Sequence, residues 1–455
     1  MSEVLGALVD AGRRIADAAR QHGDDVEVFL VRHDAYPIAV HDDEIRPEMR
    51  VGRVQVGMRL IRDGQMTLAS TAGLDPEENL DALRTALAVG KPSGVPSFSA
   101  AHVPLQDGID ISLQPYVQDP ALVQDLARAI RRRFREAPKA ALIGSFDAGC
   151  ELRLVYRAVV TTRGEGGGAR GGLLSHADLD SNQHDVVYRP VIDEAAVHAL
   201  QHVGVRLLED YPDRDVTPAE LGMRGGRIRA LLAPRLGEGI LRTVLQEKLI
   251  ATTLANGNTH LRQGLPIFGA QFTLDSLGDD PHLLNCGPCD DEGTPTRRTR
   301  VIEGGVFQSF LSSRRSARRT GLQETGNGMR TPIFDEDMSE ALIRDRIAGM
   351  EMAPGTRSME ELVASMERGV VLFSLLGLHS ADKARAQFST TARGGYAVKE
   401  GKVIGRLAPG HWSISGRLFD GPPGRSIFAD VEPSRERVLT GTGRMPWLLA
   451  HVDVA

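Results

Sequence analysis

Apolar residues at helical spacing open the chain: Val4, Leu5, Leu8, Val9, Ile15, Ala16 and Ala19 share one face of an amphipathic helix within residues 1–23. The pattern then turns β-like. Residues 26–32 read as a strand. Residues 51–61 alternate up to Asp63-Gly64, and the alternation resumes over 65–69. Asp-Gly between two alternating runs predicts a tight hairpin, because both residues tolerate positive φ. Asp75-Pro76-Glu77-Glu78 supplies a cap, a first-turn proline and acid for a helix to about residue 89. Asp119 and Pro120 start another, which carries Leu122, Val123, Leu126, Ile130 and Phe134 on one side. Strands are expected over 141–145, 151–162 and 171–179, and a helix over 193–208.

Residues 211–226 are polar and rich in breakers, which places a domain boundary there: an N-terminal domain over 1–212 and a β-rich one over 213–455. The second half begins with a strand (228–232) and a long helix (236–254), then breaks into short strands separated by Gly, Asp and Pro. Ser358-Met359-Glu360-Glu361 reads as a capping box. The expected class is α+β. Helices pack on a mixed sheet in the N-terminal domain, and a large antiparallel sheet or barrel dominates the C-terminal one. The glycine-rich run 164–172 lacks the Gly-Lys-Ser/Thr ending of a phosphate loop and is expected to be a flexible hairpin tip.

Composition narrows the picture modestly. The 455 residues carry a net charge of −6, so no global basic bias points to nucleic acid. Three cysteines argue against a disulfide framework and fit a reducing cytoplasm. The N-terminal helix has no uninterrupted apolar core of a secretory signal. No run approaches the roughly 18 apolar residues of a membrane span.

Several constellations could carry chemistry. His198 and His202 lie one helical turn apart, a spacing that can hold zinc, but Ala199 stands where a metallopeptidase would need its glutamate, and no third ligand is in sight. His176, Asp178 and Asp180 share one strand face ahead of His184 and Asp185; a solvated strand edge with a turn at 180–182 explains them as well. The same holds for His33, His41, Asp42, Asp43 and Glu44. Cys286-Gly287-Pro288-Cys289 has the spacing of a redox pair or half a zinc knuckle, but the other half is absent and loop residues follow it. Turn cysteines without a shared role are the competing reading. None of the 13 histidines is followed by glutamate, so neither HExxH nor HExxxH occurs.

The longest patterned block is 290–330. Asp290-Asp291-Glu292-Gly293 makes an acidic turn. A strand over 294–301, a turn at Glu303-Gly304-Gly305 and a returning strand over 306–311 come next. The basic run 314–319 leads to a turn at Thr325-Gly326-Asn327-Gly328. Read by itself it is a hairpin with salt-bridged faces. Its runs DDEGTPTRRT (290–299), VIEGGVFQSFL (301–311), SARRTGL (316–322) and TGNGMR (325–330) resemble the signature region of the TldD/PmbA family, peptidase-like proteins also called modulators of DNA gyrase. Residues 56–74, 366–372 and 394–405 resemble further segments of that family in the same order, so the resemblance spans nearly the whole chain. The end around Pro446-Trp447 matches weakly, and the CxxC falls where ordinary loop residues are expected.

The resemblance implies a branch. TldD-type subunits carry HExxxH on the first helix of the C-terminal domain and a distant cysteine, which together bind zinc; TldE/PmbA-type subunits lack them. Here that helix, 236–249, has no histidine, and no cysteine follows Ser380. The resemblance therefore implies a TldE-like, non-catalytic subunit of a zinc peptidase, with no cofactor of its own. Its partner would be a TldD-like subunit holding the zinc. Its substrates would be unfolded or ribosomally made peptides, including leader peptides in natural-product maturation. Asp290, Asp291, Glu292, Gly293, Thr325, Gly326 and Asn327 would form a structural hairpin near the cleft. A partner-free homodimeric scaffold, and an enzyme using His198/His202 or the CxxC, are the alternatives.

Overall fold

A computed structural model describes residues 3–48, 51–99, 102–181, 183–330, 342–419 and 426–454. Helix α1 (Glu3–Ala19) buries Leu5, Leu8, Val9, Ile15, Ala16 and Ala19, as the opening periodicity predicts. Gly12 lets it approach the sheet closely: a Cβ there would lie 2.7 Å from Leu30 and 2.8 Å from Val160. The sheet beneath is built on β1 (Asp25–His41), β2 (Val51–Arg62) and β3 (Gln65–Thr71). Asp63 and Gly64 turn between β2 and β3 with φ of 50° and 73°, as the Asp-Gly signal requires. Strand β1 runs well beyond residue 32, because Tyr36, Ile38 and Val40 continue the inward alternation.

Helix α2 (Pro76–Ala86) is capped by Asp75, whose side chain accepts from the Glu77 N–H at 2.8 Å. Helix α3 (Ala121–Glu136) buries Val123, Leu126, Ala127, Ile130 and Phe134. The expected strand at 141–145 does not form. Instead the backbone N–H groups of Gly144 and Ser145 donate to the Asp180 carboxylate at 2.7 and 3.0 Å, and a turn results. Strands β4 (Phe146–Thr161), β5 (Glu165–Leu179) and β6 (Gln183–Arg189) complete the sheet. It is mixed: antiparallel throughout except where residues 106–108 pair in parallel with β5.

The glycine run is not a flexible tip. Gly166 to Gly172 lie inside β5 and are buried, and the turn sits at 162–164. These glycines clear space for neighbours: a Cβ on Gly172 would meet the Tyr188 ring at 2.5 Å, and one on Gly167 the Arg157 carbonyl at 2.5 Å. The expected helix over 193–208 breaks at Gly204, with φ of 81°, into α4 (Glu194–Gln201) and α5 (Val205–Glu209).

The second sheet begins with β7 (Gly226–Leu232). The long helix expected over 236–254 is interrupted. Helix α6 (Pro234–Ile240) passes into a π-turn at Leu241–Leu245 and a 3-10 turn at Gln246–Lys248. Ile250 is extended and bridges to Leu311, with the Ala251 N–H donating to the Leu311 carbonyl at 2.8 Å. This pairing ends the helix. Short strands β8 (Leu274–Leu277), β9 (Thr299–Glu303) and β10 (Gly349–Met352) form one flank. The strands expected over 294–301 and 306–311 shrink to β9 and Val306–Phe307, and the basic run forms helix α7 (Arg314–Thr320).

Helix α8 (Met359–Ala364) has the predicted capping box from Ser358 and Glu361. Then come β11 (Arg368–Leu376), β12 (Gln387–Lys399), β13 (Lys402–Leu407), β14 (Ser413–Arg417), β15 (Glu432–Leu439) and β16 (Gly443–Val454). The pairings β12–β11–β7–β16–β14–β12 close a five-stranded barrel within a largely antiparallel sheet. The architecture is α+β, as the sequence predicts. The barrel core holds Ile240, Leu241, Val244, Met350, Trp412 and Leu448 among others. The opposite face of β11, β12 and β16 packs under α8 through Leu362, Met366, Val371 and Tyr396. No helix among the described residues is long and apolar enough to cross a membrane.

Candidate functional site: a cleft between the two sheets

The Asp290–Glu292 turn is buried rather than solvated: the three acids are 1–2% exposed. The Asp290 carboxylate accepts from the N–H groups of Glu292 (3.0 Å), Thr294 (2.9 Å) and Gly328 (2.8 Å). Asp291 accepts from the Arg330 N–H at 2.7 Å, and Glu292 from the Arg314 N–H at 3.0 Å. Across the molecule, Arg59 forks onto Glu27 at 2.7 and 2.5 Å and reaches Glu292 at 3.4 Å; Arg330 reaches Glu27 at 3.2 Å. Each guanidinium also lies 4.9 Å from a ring, Arg59 over Phe98 and Arg330 over Phe29. This network ties the N-terminal sheet to the second half.

Burial pushes the carboxyls of Asp290, Asp291 and Glu292 up, most strongly at Asp290, where the Glu292 charge adds to it. Burial works against the Arg59 charge as well, but Glu27 and Glu292 outweigh it. Thr325 and Asn327 close the arrangement. The Thr325 hydroxyl accepts from the Ser312 N–H at 2.7 Å, and the Asn327 amide donates to the Arg346 carbonyl at 2.7 Å. Gly293 and Gly326 take φ of 74° and 69°. The expected signature hairpin is thus a buried turn, closed by a bridge between Cys289 and Pro295. It does not line the large cleft.

The CxxC belongs to the same buried region. Cys286 donates to the Leu277 carbonyl at 3.4 Å, and Cys289 packs against β5 beside Gly166. Both are free thiols, and burial pushes both up, Cys286 to about 12. An activated thiolate needs the opposite, an electropositive and accessible setting.

The histidine candidates are scattered. His198 and His202 stack with centroids 4.2 Å apart at the end of α4. His41 contacts Asp147, and Asp43 pairs with Arg131 and Arg135, so the 41–44 group is a charged turn. His176 and Asp178 share a face of β5, alternating with buried Ser175, Ala177 and Leu179, while Asp180 lies past the strand end in the turn, with φ of 50°. They part in role, however. His184 Nδ1 lies 2.6 Å from Asp178, and Asp180 caps the 144–145 turn and accepts from Arg406 at 3.0 Å. No group of three or more His, Cys, Asp or Glu side chains arranged to hold a metal occurs among the described residues.

His176 instead faces a cleft of about 1540 Å³ between the two sheets. Edge strand β6 and the facing segments of β4 and β5 supply one wall; α6, β11 and β13 supply the other. Such a concave, mixed polar and apolar space is the default place for a ligand. On the second wall, Phe373 makes edge-to-face pairs with Tyr396 (5.4 Å) and Trp447 (6.0 Å). Helix α6 presents Arg235, Leu236 and Gly239. Its one acid, Glu238, is buried and committed: it accepts from Arg242 at 2.7 Å, from Thr442 at 2.6 Å and from Thr440. Burial would raise that carboxyl, but Arg242 and the two hydroxyls hold it below the usual carboxylate range.

Of the residues singled out in the sequence, His176, His184 and Asp185 line this cleft, whereas the 290–330 block and the His198/His202 pair do not. Its walls come from strands more than a hundred residues apart, so no local motif marks it. The polar strand end at His176–Asp185 and the position of α6 at the start of the second half were legible.

Residues 225–422 match the PmbA/TldA metallopeptidase C-terminal domain. The chain is 26% identical over 115 residues to a metalloprotease TldD homolog of Buchnera aphidicola, covering 25% of this chain and 22% of that protein. It is 29% identical over 163 residues to metalloprotease PmbA of Escherichia coli O157:H7, covering 33% and 32%. The alignments thus span about a fifth to a third of these relatives. The fold is that of TldE from Thermococcus kodakarensis: TM-score 0.78 at 19% identity, over 98% of this chain and 100% of that one.

Proposed function

Because the chain belongs to the TldD/PmbA family, we propose that it is a non-catalytic, TldE-like subunit that completes the peptide-binding cleft of a zinc peptidase, with the metal carried by a TldD-like partner. One observation carries this reading. The helix on which TldD-type subunits place HExxxH lies at the cleft here, but it offers Arg235, Leu236 and Gly239, and its single acid is locked to Arg242. The residues present do not fit a catalytic zinc, which needs three protein ligands around an open position and a free general base. No hydrolytic step is assigned to this chain.

What the chain supplies is shape and hydrogen-bonding edge. Strand β6 pairs with β5 on one side only among the described residues and runs along the cleft. An extended peptide can add to such an edge through backbone hydrogen bonds, with little demand on sequence. That suits unfolded or ribosomally made peptides, leader segments of natural products among them. Co-expression with an HExxxH-bearing relative from the same genome tests the pairing: a stable complex on size exclusion is expected, and two proteins that elute separately under all conditions would refute it.

A further inference from the structure

Of the Lys and Arg side chains that line the cleft, Arg189, Arg235 and Lys402 make no ion pair among the described residues, and Arg235 is the one carried by helix α6. Arg153 is spent on Glu151 at 3.1 and 2.8 Å, and Arg206 on Asp185 at 2.6 Å. Arg189 donates to the Tyr188 carbonyl at 3.5 Å. Arg235 has no acid within ion-pair distance among the described residues, although it projects into the concave space. Its natural partner would be Glu238, one turn along α6, since acids and bases three apart on a helix can pair. Glu238 is taken by Arg242, Thr440 and Thr442.

Arg235 itself is solvent-exposed. Partial desolvation by the cleft walls and the nearby Arg153 charge nonetheless lower its guanidinium from the ordinary value, against a contribution from Glu238. His176 feels the same locus: desolvation lowers it first, Asp178 opposes, and His184 and Arg235 contribute in the lowering direction. An exposed guanidinium without an acid partner, in a cleft that Arg153 and His176 also line, is a place where an anion can dock. A guanidinium also matches a carboxylate in a two-pronged geometry. The Phe373, Tyr396 and Trp447 rings line the same cleft and offer apolar area for a neighbouring side chain.

We propose that Arg235 is the receptor for a carboxylate of the bound peptide, with the Phe373–Tyr396–Trp447 cluster seating an apolar side chain of the same peptide. The inference rests on the cleft being a peptide site. The carboxylate comes either from the peptide's own C-terminus or from an acidic side chain.

The test is a binding titration by fluorescence anisotropy, with the full chain alone and in complex with its co-expressed partner. Three probes are used: a fluorescein-labelled octapeptide of glycine, serine and one phenylalanine with a free C-terminal carboxylate, its C-terminal amide, and the amide with one serine changed to glutamate. One carboxylated probe should bind about tenfold more tightly than the plain amide, the scale of one charge-assisted pair. Which one does so identifies the source. Arg235→Leu should abolish that preference while melting at no lower temperature than wild type, because the exposed side chain makes no ion pair among the described residues; Arg235→Lys should keep part of the preference. Equal binding of all three probes overturns the inference and leaves the peptide cleft standing. A preference that survives Arg235→Leu overturns it too. If no probe binds in either state, the cleft reading falls and this inference with it.

Discussion

Asp290 accepts three backbone N–H bonds, yet its carboxyl is pushed up, because burial and the Glu292 charge outweigh them. Its role is architectural: it shapes the turn that delivers Glu292 to Arg59. The stakes are highest at Glu27, which is fully buried and neutralises both Arg59 and Arg330. Glu27→Ala leaves two buried guanidinium groups short of a partner and should cost about 3–5 kcal/mol in urea unfolding. The exposed pair Arg46–Glu44 is the control, and Arg46→Ala should change stability by less than about 1 kcal/mol. His33 gives a pH signature. Burial, reinforced by Arg157, Arg153 and Arg53, lowers it from 6.5 to about 4, and its Nε2 has no hydrogen-bond partner. The unfolded chain takes up that proton near 6.5 and the folded chain only near 4, so this contribution to stability is complete above the window and lost as pH falls through it. In His33→Leu, the drop in melting temperature between pH 7 and 4 should shrink, an outcome that thermal scans across that range check directly.

At the level of elements, local signals succeeded where local chemistry decides. Asp63-Gly64, the Asp75 cap and the Ser358–Glu361 box formed as written, because each needs only residues a few positions apart. They misled where a distant partner decides. Asp180 turns residues 144–145 away from a strand, and Leu311 stops the helix that the spacing of Leu241, Leu245 and Leu249 would continue. The glycine run misled for a third reason. Glycine marks a loop by composition, but here it marks close packing, with Tyr188 filling the space beside Gly172. Gly172→Ala should therefore force the ring aside and destabilise the chain by about 1–3 kcal/mol in denaturant titration. A harmless substitution would mean that the site is loose after all.

At the scale of the whole molecule, two sheets meet through two polar seams and enclose a cleft between them. One seam is the Glu27–Arg59–Glu292–Arg330 network; the other joins Asp180 and Tyr211 to Arg406. The family resemblance in 290–330 was visible in sequence because that segment packs the first seam. The cleft was not visible, because its walls assemble only in three dimensions. Helix α6 reaches this cleft with its one acid committed to Arg242, Thr440 and Thr442, and the proposed binding role, with the chemistry left to a proposed partner, rests on that. The most direct test is peptide cleavage by the purified chain, by the TldD-like partner and by their co-expressed complex, each with and without a metal chelator. The account predicts chelator-sensitive cleavage by the complex and none by this chain alone. Chelator-sensitive cleavage by this chain alone, with stoichiometric zinc bound to it, would contradict it.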